Sequence, residues 1–275
     1  MKKLYIILCL AITFVCAEEK SLFWLSLDNN VSTVTKSALS GKNQKEILQT
    51  KSANKITIDE LDGTIYWIDN KRKTLKKSNA NRSEIVEIAK LDNNARSLVV
   101  DGKNRNLYWV NDGRVLTEVI KADLQGQNQT SILKGKNVQC VTIDIESEQI
   151  FWMTDNNIAQ RIRVSDLDGK ITKTILRKSQ GPYTDLAIDS KRKELYWIKS
   201  EDQVNTVICR CDFSGRNQQE IIASSFITSI DIANDKVLWV GRDAGGNAIF
   251  QADRDGLNIE VLVLSNAKIQ NIIVK

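Results

Sequence analysis

Histidine is absent from this chain of 275 residues, and its absence removes whole classes of chemistry. A Ser-His-Asp triad, a Cys-His dyad and a His-ligated metal centre each need an imidazole. Cysteine is scarce too, with five in all; Cys9 and Cys16 lie in an N-terminal apolar segment, which leaves Cys140, Cys209 and Cys211. Side chains at i and i+2 of a strand share a face about 7 Å apart, so Cys209–Cys211 is a poor disulfide. Pairing of Cys140 with either would need two neighbouring repeats to present them together, and three thiols leave at least one unpaired. The Cys-x-Cys pair lacks the further ligands that zinc requires. Past the N-terminus no apolar run approaches the roughly 18 residues of a membrane span. Proline occurs once, and no box of the SxDxGxxW type is found. Asp and Glu are plentiful, yet no carboxylate pair stands out for glycoside-type hydrolysis. The expectation is a chain with no catalytic activity, cofactor or metal.

The N-terminus reads as a signal peptide, residues 1–17. Lys2 and Lys3 precede the apolar Leu4 to Val15, and Val15-Cys16-Ala17 fits a small-residue cleavage site. A secreted, extracellular product follows, with residues 18–275 as one domain. The formal charge of +5 falls to about +3 without Lys2 and Lys3, which is close to neutral. A hydrophobic content of 42% over this length can bury a sizeable core.

All six tryptophans stand in one repeating dipeptide: Phe23-Trp24, Tyr66-Trp67, Tyr108-Trp109, Phe151-Trp152, Tyr196-Trp197 and Leu238-Trp239. Their spacings of 43, 42, 43, 45 and 42 residues are those of propeller blades or helical solenoids. An Asp lies eight residues before each of the last five: Asp59, Asp101, Asp144, Asp189 and Asp231. Four of these close a β-branched run such as KITID or SLVVD; the fifth, SIDIA, continues past its Asp. Some 17 residues after the Trp comes a Gly turn at Gly41, Gly126, Gly169, Gly215 or Gly256, replaced in the second copy by Asn81. An aliphatic pair follows each turn. Every unit is thus four short strands with turn chemistry between them, and no segment holds a helical period. The chain is predicted to be all-β, a six-bladed propeller of four-stranded blades.

The first copy starts at Ser21, on its second strand. Asn271-Ile272-Ile273-Val274-Lys275 aligns with Ser97-Leu98-Val99-Val100-Asp101, so the C-terminal strand should complete the N-terminal blade and close the ring. Tyr66 and Trp67 should point to opposite faces of a blade covered on both sides, which buries both rings. The repeated Asp residues read as acceptors for turn amides rather than calcium ligands.

These units resemble the YWTD (class B) repeats of the low-density lipoprotein receptor family over nearly all of Ser21 to Lys275. The motif has drifted: the Thr position holds Leu25, Ile68, Val110, Met153, Ile198 and Val240, and only Asp69 matches the motif Asp. The resemblance implies a six-bladed propeller with a protein-binding role, as in the family's matrix and receptor members. It also implies acid-triggered ligand release through histidines, which a chain without His cannot perform.

Loops leaving strand four of a blade, and those joining strands two and three, share one rim in such a propeller. The first set holds Lys51, Lys90, Arg96, Lys134, Lys136, Arg177, Lys178 and Lys268 with Asp92 as its only acid, and Lys71 and Arg72 join from the second. This reads as a basic ring around one mouth of the central channel, facing an anionic partner. The loop at 177–184 adds Tyr183. Sequons at Asn30, Asn81 and Asn128 fall in turns, as glycans require. The expected protein is a monomeric, secreted binding module for an extracellular protein or an anionic glycan, with no nucleic-acid ligand. The competing readings are a soluble decoy of the saliva or venom kind and a calcium-dependent propeller hydrolase.

Overall fold

The structure is a computed structural model, and it describes residues 20–79, 84–113, 115–155, 159–178, 182–244 and 246–275. Among the described residues the regular elements are 24 strands in six four-stranded antiparallel sheets. The first sheet holds β1 (Ser21–Asp28), β2 (Val31–Ala38) and β3 (Lys45–Lys51). The second runs β4 (Ala53–Ile58), β5 (Ile65–Asp69), β6 (Thr74–Ser78) and β7 (Ile85–Lys90). The third is β8 (Ala95–Asp101), β9 (Asn106–Asn111), β10 (Thr117–Asp123) and β11 (Thr130–Gly135). The fourth is β12 (Val138–Asp144), β13 (Gln149–Asp155), β14 (Gln160–Asp166) and β15 (Lys173–Lys178). The fifth is β16 (Tyr183–Asp189), β17 (Glu194–Ser200), β18 (Asn205–Asp212) and β19 (Gln219–Ser225). The last is β20 (Ser229–Ala233), β21 (Lys236–Asp243), β22 (Gly246–Asp253) and β23 (Glu260–Ser265), after which β24 (Lys268–Val274) returns to pair with β1. The ring is therefore closed as expected, with Ile272 opposite Trp24 as Leu98 is opposite Trp109.

The dipeptide explains the core. In a strand covered on both faces, neighbouring side chains enter different seams. Tyr66 and Ile68 pack with Trp109 between the second and third blades, whereas Trp67 packs with Phe23 and Leu25 between the first and second. The same exchange recurs around the ring, giving six seams and six hydrophobic clusters. The drifted Thr position is part of this core: Leu25, Ile68, Val110, Met153, Ile198 and Val240 are all buried, so an aliphatic side chain is favoured there over a hydroxyl.

The outer edge of each blade is protected. A bulge interrupts the pairing of the outermost strand with its neighbour in all six sheets, at Val34/Thr35, Leu75/Lys76 and their equivalents. Bulges twist an edge and blunt its pairing with another chain. The Gly turns lock neighbouring blades together at this outer radius. Gly215 has φ of 81°, and a Cβ there would sit 2.2 Å from the carbonyl oxygen of Ile175 in the preceding blade. Asp212 holds the turn by accepting from the amides of Ser214 and Arg216, and Asn217 Nδ2 donates to its second oxygen at 3.0 Å.

Cys140, Cys209 and Cys211 lie together in the seam between the fourth and fifth blades as buried thiols.

Candidate functional site

The structure confirms that the loops after strand four and those between strands two and three share a face, and it locates the expected cations on it. Lys51, Lys90, Lys134 and Arg177 stand at the ends of β3, β7, β11 and β15, the outermost strands, with Lys136 just beyond β11. Only Arg96 in β8 and Lys268 in β24 belong to inner strands. The cations consequently ring the outer circumference of this face rather than the channel mouth. Lys51, Lys90, Lys136, Arg177 and Lys268 are exposed and form no ion pair with a described carboxylate. Two others are engaged: Lys134 meets Glu118 at 2.6 Å, and Arg96 binds Asp112 at 2.9 Å together with Asn137 and Gln139. Glu118 and Asp112 escaped the sequence reading, although antiparallel register places Glu118 directly opposite Lys134. Asn81 lies outside the described residues, as does the side chain of Lys178.

Tyr183 is a correction. Its ring is 1% exposed and packs against Trp197 with centroids 6.1 Å apart, because β16 begins at Tyr183 and turns the side chain into the seam. Burial pushes its hydroxyl pKa up. It cannot touch a ligand on the rim. Asn30 is exposed on the basic face and its Oδ1 accepts from Lys71 at 3.2 Å. Asn128 sits in a Gly turn with φ of 56° and donates Nδ2 to Asp123 at 2.8 Å, the arrangement of Asn217 and Asn258, neither of which starts a sequon. The turn alone accounts for an Asn at position 128.

The motif Asp that survives, Asp69, organises the same face. Its side chain is fully buried and accepts from Ser52 Oγ at 2.8 Å, from the Arg72 amide and guanidinium, and from Lys76. Burial raises its pKa, but these bonds together outweigh burial and leave it below the ordinary carboxylate value. A carboxylate lowered in this way contributes stability that is complete above its unfolded pKa, near 4, and is lost as pH falls through the folded value. Asp69→Asn should therefore cost roughly 1–3 kcal/mol at pH 7. The difference should shrink as pH falls below about 4. Urea unfolding of both proteins at pH 7, 4 and 3 checks this, and a pH-independent difference would refute it.

A central channel of about 670 Å³ runs between the six inner strands. Its lining extends from Lys55, Ser97 and Asp185 to turn residues on the face opposite the basic one. Side chains from one inner strand cap amides of the next. Asn271 accepts from Ile56 N, Thr57 from Val100 N, Ser97 from Val141 N, Asp185 from Ile230 N, Ser229 from Ile272 N and Asp231 from Val274 N. At the open end the signs alternate blade by blade: Lys275, Glu60, Lys103, Glu146, Lys191 and Asp235. Lys275–Glu60, Lys193–Glu146 and Arg192–Asp235 pair across blades at 3.3, 3.8 and 2.6 Å. Such a mouth has no net field to select one sign of ion.

The repeated Asp residues behave as turn acceptors in the second to fifth blades. Asp59 accepts from Leu61 N, Asp101 from Asn104 N and Asp189 from Arg192 N, while Asp144 binds Ser147 and Lys193. Asp231 departs from this set. Ile230 faces Trp239 across a two-residue turn, Asn234-Asp235, with φ of 48° and 61°, whereas Ile56 faces Trp67 across a longer one. That hairpin turn is two residues shorter, so Asp231 moves from the turn into the channel wall, where burial pushes its carboxyl pKa up.

No protein-family model matches the chain. Among solved structures it is similar to a chain of a nidogen/laminin complex, with a TM-score of 0.80, 12% identity, and 93% of this chain and 98% of that one covered. TolB from Acinetobacter baumannii gives 0.76 at 11% identity, covering 92% of this chain and 66% of the other. The tricorn protease gives 0.55 at 13% identity, with 89% and 31% covered. These likenesses define the class as a six-bladed β-propeller. Among the described residues no helix is long and apolar enough to cross a membrane.

Proposed function

We propose that this chain is a secreted, non-catalytic propeller of the YWTD type that binds an extracellular protein, or an anionic glycan, through its basic face. The observation that carries the reading is the set of exposed cations, Lys51, Lys90, Lys136, Arg177 and Lys268, left without described carboxylate partners while Arg96 and Lys134 on the same face are paired. Long side chains held at the circumference of a rigid disc present a positive rim at little ordering cost to the scaffold. The recurring aromatic-Trp dipeptide supports the family, and the structural likeness to a chain crystallised in a nidogen/laminin complex is compatible with a protein ligand.

The test compares residues 18–275 with a variant carrying Lys51, Lys90, Lys136 and Arg177 as Glu. Both are passed over immobilised heparin and used for capture from extracellular fluid. The wild type is expected to bind with a salt-dependent affinity at least about tenfold above the variant, and the melting temperatures should agree. A second variant, Lys103→Glu with Lys191→Glu on the opposite face, should bind like wild type. Equal retention by all three would remove the basic face from the proposal.

A further inference from the structure

The inner strand of each blade has one edge bonded to the second strand and the other turned to the channel. Ile56 faces Trp67 in the ladder, yet its N–H donates to Asn271 of the neighbouring blade, so it points away from β5. Alternate residues of an antiparallel strand direct their amides to the same edge. In every inner strand the residue facing the Trp, and the residue two further on, therefore turn N–H and C=O to the channel side.

Five of the six inner strands have at least one of these amides covered by a side chain of the preceding blade. The strand β16 is different. Its amides are those of Leu186 and Ile188, and the preceding strand offers Cys140 and Thr142 at the positions where other blades use Ser97, Asn271, Thr57 or Asp231. Among the described residues no side chain or loop accepts from either amide. Thiol sulfur is a weak acceptor, and burial of Cys140 keeps it protonated by raising its pKa. Both residues line the channel, so a stretch of strand edge lies open inside a cavity of about 670 Å³, a size that accommodates small ligands.

We propose that the channel binds a short extended polypeptide segment, which enters at the alternating-charge mouth and adds to the free edge of β16. Two amides and two carbonyls spaced along a strand match the backbone of about three to four residues in β conformation. The neutral mouth places no demand on the net charge of the segment. Asp185, at the start of this edge, lines the channel and accepts from Ile230 N through one carboxylate oxygen, so a basic side chain or terminal amine of the segment would be favoured beside it. This site lies on the opposite end of the disc from the basic face and does not depend on it.

The test uses the full mature chain, labelled with ¹⁵N, and a mixed-sequence pool of acetylated tetrapeptide amides. A matching pool N-methylated at alternate residues serves as the comparison. Amide exchange at Leu186 and Ile188 should slow at least about tenfold with the plain pool and stay unchanged with the methylated one. Cys140→Ser should place a hydroxyl where Ser97 stands in the preceding joint, cap Leu186 N, and weaken peptide binding by about tenfold while leaving the melting temperature unchanged or higher. Absence of protection in the wild type, equal protection by the methylated pool, or undiminished binding by a folded Cys140→Ser protein would each overturn the proposal.

Discussion

Removal of Asn271–Lys275 should abolish the folded state. The segment supplies most of β24, the inner strand of the first blade, and buries Ile272, Ile273 and Val274 in two different seams. Three such side chains are worth roughly 5–9 kcal/mol by burial. That compares with about 5–15 kcal/mol for the whole of a typical domain. The loss goes further, because Asn271 caps Ile56 N and bonds Ser229 Oγ, so both seams beside the first blade lose polar links. Without β24 the edge of β1 is also exposed as a template for other chains. Near-ultraviolet circular dichroism and gel filtration should show an expanded or aggregated chain. Replacing the five exposed residues Glu201–Asn205 by Asn-Gly, a net loss of three, leaves Ser200 opposite Thr206 and should cost little. A truncated protein that stays monomeric with a native spectrum would contradict the closure argument.

Gly215→Val should be among the most damaging single substitutions in the turns, as should the same change at Gly169 or Gly256. A β-branched residue at φ of 81° is strained by itself, and the added Cβ lies 2.2 Å from the Ile175 carbonyl oxygen, which is backbone and cannot rotate away. The fifth blade would have to move relative to the fourth. The combined cost is about 3 kcal/mol or more. For a chain of this size that corresponds to a fall in melting temperature of roughly 6–12 °C. Gly215→Asn separates the two causes, since Asn tolerates the left-handed region but keeps the Cβ. It should recover part of the loss; full recovery would show that the contact between blades is not tight.

The architecture was legible because it is written in short-range spacing. An aromatic-Trp pair every 42 to 45 residues, with an Asp before it and a Gly after it, sets strand, turn and strand inside each repeat. Register within a blade follows from the same pattern, so blade count, ring closure at Asn271–Lys275 and burial of Tyr66 and Trp67 were all readable. The candidate site was legible only in part. The cations were assigned to the right face, but their radius was misplaced, because whether Lys90 stands inside or outside depends on which strand of the sheet faces the channel. Arg96 and Lys134 counted as available until Asp112 and Glu118 were seen beside them.

Composition and periodicity by themselves determined that this protein is a closed six-bladed propeller without imidazole chemistry, since the residue inventory and the spacing of the repeats are both properties of the covalent chain. The tertiary structure alone decided what each blade does to the next. Tyr183 is buried because a neighbouring blade covers it, Asp231 lines the channel because one hairpin is two residues short, and the Leu186 amide of β16 is left uncovered because Cys140 stands where another blade has Ser97. The caps between inner strands join residues about one full repeat apart, as Ser97 and Val141 or Asp231 and Val274 are, and such separations leave no mark in a local pattern because packing, and not chain connectivity, brings the partners together.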